Sequence, residues 1–330
     1  MKSARVMVLG AGAWGTALAN VAADGRTRVP LYGRDPAQVE ALARDRENRR
    51  RLPNAPLAPP VAPTGDLGEL REIDIALGTA PAQAMRDLVR HARPYLRSGA
   101  VFVICAKGIE RETHKFLSEV VAEEAPQVEV AALSGPGFAL DVCRGLPTAV
   151  TIAHAEPERA RALAQELSTK SFRLYHSTDL RGVEIGGAAK NVLAIASGMA
   201  AGRELGASAA AALVARGFAE LSRLGAALGA RPETLMGLSG LGDLVLTCSS
   251  SQSRNFALGQ ALGRGEPVAQ AGRGKLAEGA FTAAALVDIA REHGVEMPIA
   301  EAVNAILAGR IGVDDAIAAL MTRPLRAEGA

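Results

Sequence analysis

The chain has 330 residues, 48% of them apolar and 22% charged, with a formal net charge of +2 at neutral pH. That length supports a sizeable core divided between two domains, and the composition excludes a disordered, fibrous or disulfide-scaffold protein. The near-neutral balance carries no nucleic-acid footprint, although a slight basic excess suits an anionic small substrate.

The first element in the chain is the most informative. An apolar run, Val6 to Leu9, meets Gly10, Gly12 and Gly15, and a helical pattern begins at Thr16. Strand, then G-x-G-x-x-G, then helix is the dinucleotide-binding fingerprint. Gly10 permits a tight turn, Gly12 lets backbone N–H groups approach a pyrophosphate, and Gly15 lets helix pack closely on strand. The helix start adds partial positive charge for the phosphates. Trp14 lies inside this loop, placed to pack on a ligand or to fill the space between helix and sheet. Lys2 and Arg5 before the apolar stretch give it a passing likeness to a secretory signal. The three glycines at fingerprint spacing favour a first βα unit instead. No other run is long and apolar enough to span a membrane.

Further β-rich runs follow at Arg28–Tyr32, Ile73–Leu77, Val101–Ala106, Val128–Leu133, Ala149–Ile152 and Phe172–Tyr175, with helical patterns such as Ala82–Tyr95 and Thr113–Ala125 between them. The alternation predicts a doubly wound, mostly parallel, Rossmann-type sheet over residues 1–178. Leu52–Pro63 holds five prolines and is expected to be a surface loop. The second strand ends Tyr32-Gly33-Arg34-Asp35-Pro36. An acid that would bind a ribose 2′-OH is replaced by Gly33, and Arg34 follows, where a guanidinium can pair with the 2′-phosphate of NADP. A solvated surface arginine is the plainer alternative. Asp35 before Pro36 reads as a helix N-cap.

After His176 the strand signals stop. Val183–Met199, Ala209–Leu228, Asn255–Leu262, Phe281–His293, Ile299–Ala308 and Val313–Met321 carry helical periodicity, so residues 179–330 are expected to form an all-α domain. The fold class is therefore α/β, an N-terminal doubly wound sheet with an all-α C-terminal domain. Alanine-rich helices favour close interhelical packing, and part of that apolar surface is open to use in a dimer interface.

Three constellations can carry chemistry. Lys107 stands at the carboxyl end of the fourth strand, where open α/β sheets bind ligands, though a surface lysine is the commoner outcome. Lys190 and Asn191 follow Gly186-Gly187-Ala188-Ala189 inside an apolar helix. A lysine there is costly to bury unless paired, and suits acid–base chemistry unless its amine snorkels to water. Asp243 ends the Gly-rich run Gly237-Leu-Ser-Gly-Leu-Gly, read as a turn before an apolar segment. Ser253-Arg254-Asn255 opens a helix, as an anion site or simply as a capped start. Cys105, Cys143 and Cys248 are odd in number and widely spaced, which argues against a disulfide framework and predicts a reducing, cytoplasmic setting. Cys105, at the end of an apolar strand, reads as a buried thiol, and Cys143 and Cys248 lack a nearby histidine, so no cysteine nucleophile is expected. The five histidines show no metal-ligand spacing, so no metal is expected.

Taken together, Gly-Ala-Gly-Ala-Trp-Gly-Thr-Ala-Leu-Ala, Tyr-Gly-Arg-Asp-Pro, Lys-Gly-Ile-Glu, Ser-Gly-Pro-Gly-Phe-Ala, Lys-Asn-Val-Leu-Ala-Ile-Ala-Ser-Gly, Arg-Gly-Phe-Ala-Glu, Gly-Leu-Gly-Asp-Leu-Val-Leu-Thr-Cys and Gln-Ser-Arg-Asn occur in this order. Over essentially the whole chain it resembles the bacterial NAD(P)-dependent sn-glycerol-3-phosphate dehydrogenases. The resemblance implies reversible reduction of dihydroxyacetone phosphate to sn-glycerol 3-phosphate with NADP(H) or NAD(H), a homodimer, and supply of glycerol phosphate to phospholipid synthesis. It implies catalytic roles for Lys190, Lys107 and Asp243. Cofactor contacts are implied at Gly10, Gly12, Ala13, Trp14, Gly15, Arg34, Lys107, Ala139, Arg254, Leu276 and Glu278. Substrate contacts are implied at Lys107, Gly135, Gly137, Lys190, Asp243, Ser253, Arg254 and Asn255. Ala13 stands where the family often has Ser, and Gly137 where many members carry a larger or hydroxylated residue. A β-hydroxyacid or 6-phosphogluconate dehydrogenase is the next reading, disfavoured by the adjacency of Lys190 and Asn191. A non-catalytic dinucleotide sensor would need the fingerprint but not Lys107, Lys190 and Asp243 together.

Overall fold

The structure is a computed structural model that describes residues 4–271 and 277–324. The chain divides into two compact units, residues 1–107 with 116–180, and residues 108–115 with 181–330.

In chain order, the first unit contains β1 (Val6–Leu9), α1 (Ala13–Ala22), β2 (Val29–Tyr32), α2 (Pro36–Asp45), β3 (Val61–Thr64), β4 (Ile75–Gly78), α3 (Met85–Ala92) and β5 (Val101–Ile104). It continues with α4 (Leu117–Glu124), β6 (Glu129–Ser134), α5 (Ala139–Cys143), β7 (Thr148–His154), α6 (Pro157–Leu167) and β8 (Phe172–Ser177). The eight strands form one sheet in the order β3-β2-β1-β4-β5-β6-β7-β8, parallel throughout except where β7 runs against β6. Val6, Met7, Val8 and Leu9 are all fully buried, as a central parallel strand covered on both faces requires. Chain order reverses beside β1, between β2 and β4. Open sheets of this kind bind ligands at such a switch point, outside the carboxyl ends of the strands.

One local expectation is corrected. The proline-rich stretch expected to be all loop ends in a strand, β3, paired with β2 through Val61–Thr64. Pro63 survives there because β3 is the sheet edge, so its missing N–H breaks no ladder on the outer side.

The second unit is helical among the described residues: α7 (Leu180–Gly202), α8 (Gly206–Ala227), α9 (Pro232–Met236), α10 (Asp243–Cys248), α11 (Arg254–Gly263), α12 (Val268–Ala271), α13 (Glu278–Glu292), α14 (Pro298–Leu307) and α15 (Val313–Met321). Helix α7 is buried all round from Gly182 to Ala200 apart from Glu184, as a helix without a polar face should be. Its glycines set how closely its neighbours approach. A Cβ at Gly198 would lie 2.1 Å from the Phe256 carbonyl oxygen, and one at Gly259 would lie 2.0 Å from that of Ile195. Helices α7 and α11 therefore cross backbone against backbone. Asp243 is a second correction: it is the first residue of α10, and a single π-helical turn, Leu238–Gly242, leads into it instead of an open Gly-rich turn.

Candidate functional site

In the first unit, the carboxyl ends of β1, β2, β4, β5 and β6 carry Gly10, Gly33-Arg34, Thr79, Lys107 and Gly135 along one edge of the sheet. Gly10 has φ +124°, and a Cβ there would meet Thr79 Oγ1 at 2.8 Å. Thr79 Oγ1 itself donates to the Leu9 and Gly10 carbonyls at 3.1 and 2.8 Å, fixing the turn. A Cβ at Gly15 would fall 1.9 Å from the Gly10 carbonyl oxygen, so glycine is obligatory where α1 crosses the strand end. Gly12 is different. A Cβ there meets nothing within 4 Å, and no side chain caps the start of α1. Internal packing does not demand this glycine. Open space beside uncapped helix N–H groups fits a pyrophosphate.

Two further observations fit a dinucleotide. The Trp14 indole N–H is buried without a hydrogen-bond partner among the described residues. Arg34 is exposed, in no ion pair with any described residue, at the end of β2. Asp35 caps α2 by accepting from the Ala37 N–H at 3.1 Å, so its carboxylate serves the helix. A Cβ at Gly33 would lie 2.9 Å from Val39 Cγ2, so a larger residue there would have to displace that side chain.

Lys107, half-buried, donates from Nζ to the Gly135 carbonyl at 2.9 Å. Gly135 has φ +147°, and a Cβ there would strike the Val150 backbone at 2.8 Å. Gly137 faces the Trp14 ring: a Cβ would lie 3.5 Å from its edge and 3.3 Å from Thr148 Cγ2. Ala139 opens the short helix α5.

In the second unit, Lys190 Nζ lies 2.5 Å from Asp243 Oδ1 and donates to Thr247 Oγ1 at 2.9 Å. Thr247 Oγ1 in turn donates to Asp243 Oδ1 at 3.2 Å. Lys190 is 6% exposed and Asp243 1%, so this is a charge pair withdrawn from water. Asp243 and Thr247 stand four apart on α10, on one helical face. The close approach is again built on glycine: a Cβ at Gly186 would lie 2.5 Å from the Ser239 carbonyl oxygen, and one at Gly240 would lie 1.9 Å from that of Leu235.

Successive helical residues point about 100° apart. Lys190 therefore reaches α10 while Asn191 reaches α11, where its Oδ1 accepts from Asn255 Nδ2 at 2.9 Å. Asn255 Oδ1 accepts from the Gly279 N–H at 2.9 Å, next to Glu278 at the start of α13. Ser253 caps α11, its Oγ accepting from the Phe256 N–H at 3.2 Å. Arg254 is the exposed first residue of that helix, in no ion pair with any described residue. Leu276 lies outside the described residues.

The thiols are inert by position. Burial pushes Cys143 and Cys248 up to about 11 and Cys105 higher still. No helix among the described residues is long and apolar enough to cross a membrane. Sequence reasoning missed Thr79, Gln38 and Asn48. Thr247, four residues after Asp243, stands within the motif but carries no role in the sequence reading.

The family description "NAD-dependent glycerol-3-phosphate dehydrogenase N-terminus" matches residues 5–160, and the corresponding C-terminus matches residues 179–318. A glycerol-3-phosphate dehydrogenase [NAD(P)+] of Bradyrhizobium sp. (strain BTAi1) is 60% identical over 98% of both chains, and one from Azorhizobium caulinodans is 59% identical over the same share. The crystal structure of glycerol-3-phosphate dehydrogenase from Coxiella burnetii superposes with a TM-score of 0.93 at 36% identity, covering 97% of this chain and 99% of that one. A ketopantoate reductase from Ralstonia eutropha, at TM-score 0.61 and 17% identity, shares the fold alone. Fingerprint, buried lysine–aspartate pair and whole-length likeness agree: the chain belongs to the NAD-dependent glycerol-3-phosphate dehydrogenase family.

Proposed function

We propose that the chain catalyses the reversible, NAD(P)-linked reduction of dihydroxyacetone phosphate to sn-glycerol 3-phosphate. The observation that carries this reading is the buried Lys190–Asp243 pair braced by Thr247. Such a pair is a poor source of stability, because the desolvation of two charges offsets most of their attraction. As an acid–base device it is well made: an ammonium held in one position by two acceptors.

When bound, the nicotinamide cofactor supplies the hydride. Gly12 and the start of α1 hold the pyrophosphate, Trp14 packs beside it, and Arg34 pairs with a 2′-phosphate when one is present. In reduction, Lys190 delivers a proton from Nζ to the carbonyl oxygen as negative charge develops there, and Lys107 stabilises that charge. In oxidation, Lys190 takes the proton back. Asp243 and Thr247 orient the ammonium. Arg254, beside Asn255 and the capped start of α11, grips the substrate phosphate, and that remote binding energy positions the reacting carbon. Gly135 and Gly137 meet the substrate through their backbones, since a Cβ at either would point at Val150 or at Trp14 and Thr148, while Ala139 and Glu278 line the nucleotide. Residues 1–178, apart from 108–115, which group with the helical unit, form the dinucleotide-binding domain, and residues 179–330 the substrate domain.

The enzyme works as a cytoplasmic homodimer that feeds phospholipid synthesis. Supporting the dimer, residues 206–216 at the start of α8 are alanine-rich and remain exposed or half-buried. The deciding experiment is oxidation of NADPH and NADH by purified protein, with and without dihydroxyacetone phosphate. Oxidation independent of that substrate, or none with either cofactor, overturns the reading.

A further inference from the structure

The first βα turn is held by side chains that no cofactor contact explains. The Ala11 carbonyl oxygen accepts two carboxamide donors, Gln38 Nε2 at 2.6 Å and Asn48 Nδ2 at 3.1 Å. Asn48 Nδ2 also donates to Thr16 Oγ1 at 2.7 Å, and Thr16 Oγ1 donates to the Gly12 carbonyl at 2.8 Å. Asn48 is 2% exposed and Thr16 fully buried, so these bonds form away from competing water. Both carbonyls of the Ala11-Gly12 segment are thereby fixed in direction.

A trans peptide is planar, and its C=O points opposite to the N–H that follows. Turning the Ala11 carbonyl toward Gln38 and Asn48 turns the Gly12 N–H away from them. Holding the Gly12 carbonyl on Thr16 likewise aims the Ala13 N–H out of the helix start. We infer that Gln38, Asn48 and Thr16 are positioning residues that pre-orient the Gly12 and Ala13 N–H groups for the pyrophosphate of the dinucleotide. This rests on the proposed binding of a dinucleotide at this turn. The work is done through geometry alone, since none of the three need touch the ligand. The Gly12 carbonyl also accepts from the Thr16 backbone N–H at 2.9 Å, so the side chains matter most at the Ala11–Gly12 peptide. Without the brace, that plane rocks in the open space around Gly12, and each binding event must order the turn afresh.

The test uses the whole chain and measures dissociation constants for NADPH, NADH and 2′-AMP, the last carrying the 2′-phosphate but no pyrophosphate. Asn48→Leu and Thr16→Val should weaken NADPH and NADH by similar factors, about tenfold, the scale of one hydrogen bond to a charged group. Their 2′-AMP affinity should not change. Thr16→Ser, which keeps the hydroxyl, should restore dinucleotide affinity. The Michaelis constant for cofactor should rise while kcat at saturating cofactor stays near its original value. Gln38, on the partly exposed α2, offers Gln38→Leu as a variant that leaves the core untouched should Asn48→Leu not fold. Unchanged dinucleotide affinity in folded Gln38→Leu and Thr16→Val overturns the inference. So does an equal loss for 2′-AMP, the mark of a generally loosened domain. A wild-type chain that binds 2′-AMP but neither dinucleotide sinks the underlying reading instead.

Discussion

Asn255 meets Asn191 side chain to side chain, Nδ2 to Oδ1 at 2.9 Å, while its other end accepts from the Gly279 N–H at 2.9 Å. One carboxamide thus ties the helix carrying Lys190 to the helix that opens at Arg254 and to the start of α13. Gly279 is needed for this junction, because a Cβ there would lie 2.5 Å from the Asn191 carbonyl oxygen.

A first prediction follows from that junction. Asn255→Leu strands two buried polar groups, each costing about 1–3 kcal/mol when left unsatisfied. Asn255→Asp keeps the acceptor for Gly279, and rotation of the Asn191 amide restores a donor to it. Urea unfolding should therefore rank wild type above Asn255→Asp and Asn255→Leu last. A leucine variant as stable as the aspartate one would show that the amide bridge is incidental.

Cofactor choice is the second. Gly33 removes the acid that would favour a free ribose, and Arg34 offers a cation beside it. Arg34→Ala should weaken NADPH much more than NADH, because only NADPH loses a phosphate contact. Equal losses in titrations with the two cofactors would mean that Arg34 does not read the 2′-phosphate.

What could be read from the sequence divides along physical lines. Gly10 and Gly15 announce themselves because local geometry admits no side chain, and the apolar strands announce the sheet because both its faces are covered. Lys190 and Asp243 stand out as residue types, but their pairing depends on backbone contacts at Gly186 and Gly240 that no local period reveals. Asn48 lies in an irregular segment, and its importance comes from a carbonyl 37 residues earlier. Strand β3 was hidden by Pro63, since local propensity carries no knowledge of which strand is the edge.

Third, Arg254→Ala should raise the Michaelis constant for dihydroxyacetone phosphate by at least about tenfold, the lower end expected for a charge-assisted contact. It should lower kcat as well if remote phosphate binding positions the carbonyl. Steady-state kinetics at saturating NADPH separate the two effects. Normal kinetics would leave Ser253-Arg254 as a capped helix start and nothing more.

Fourth, stability should depend on pH through Glu220. This carboxyl, 2% exposed, accepts from the Ile299 and Ala300 N–H groups at the start of α14, at 2.7 and 3.3 Å. Burial pushes it up to about 7 despite those two bonds and Arg223, and Glu301 adds to the rise. The folded chain therefore holds this proton more tightly than the unfolded chain. The resulting stability is complete below the ordinary carboxylate range and is lost as pH climbs through about 7. Between those two limits the decline is at most about 1.4 kcal/mol for each step of one in pH. Glu220→Gln, permanently neutral, should flatten the decline between about pH 4.5 and pH 7. Denaturation midpoints across that range check it, and parallel slopes for the two proteins would count against it.

The last prediction separates chemistry from folding at Lys190. Lys190→Met deletes the proposed proton donor while keeping most of the apolar stem, and general acid–base catalysis is worth roughly 10²–10⁴-fold. Turnover should fall at least that far, with NADPH affinity retained. The same change leaves Asp243 as a buried carboxylate without its ammonium, and breaking a buried pair on one side costs about 3–5 kcal/mol. A loss of activity alone would then be ambiguous. Adding Asp243→Asn removes the stranded charge and keeps an amide able to bond Thr247. Lys190→Met/Asp243→Asn should recover much of the lost stability and none of the lost turnover. Were the double variant to regain activity along with its fold, Lys190 would be a structural partner of Asp243 and the proton would come from elsewhere.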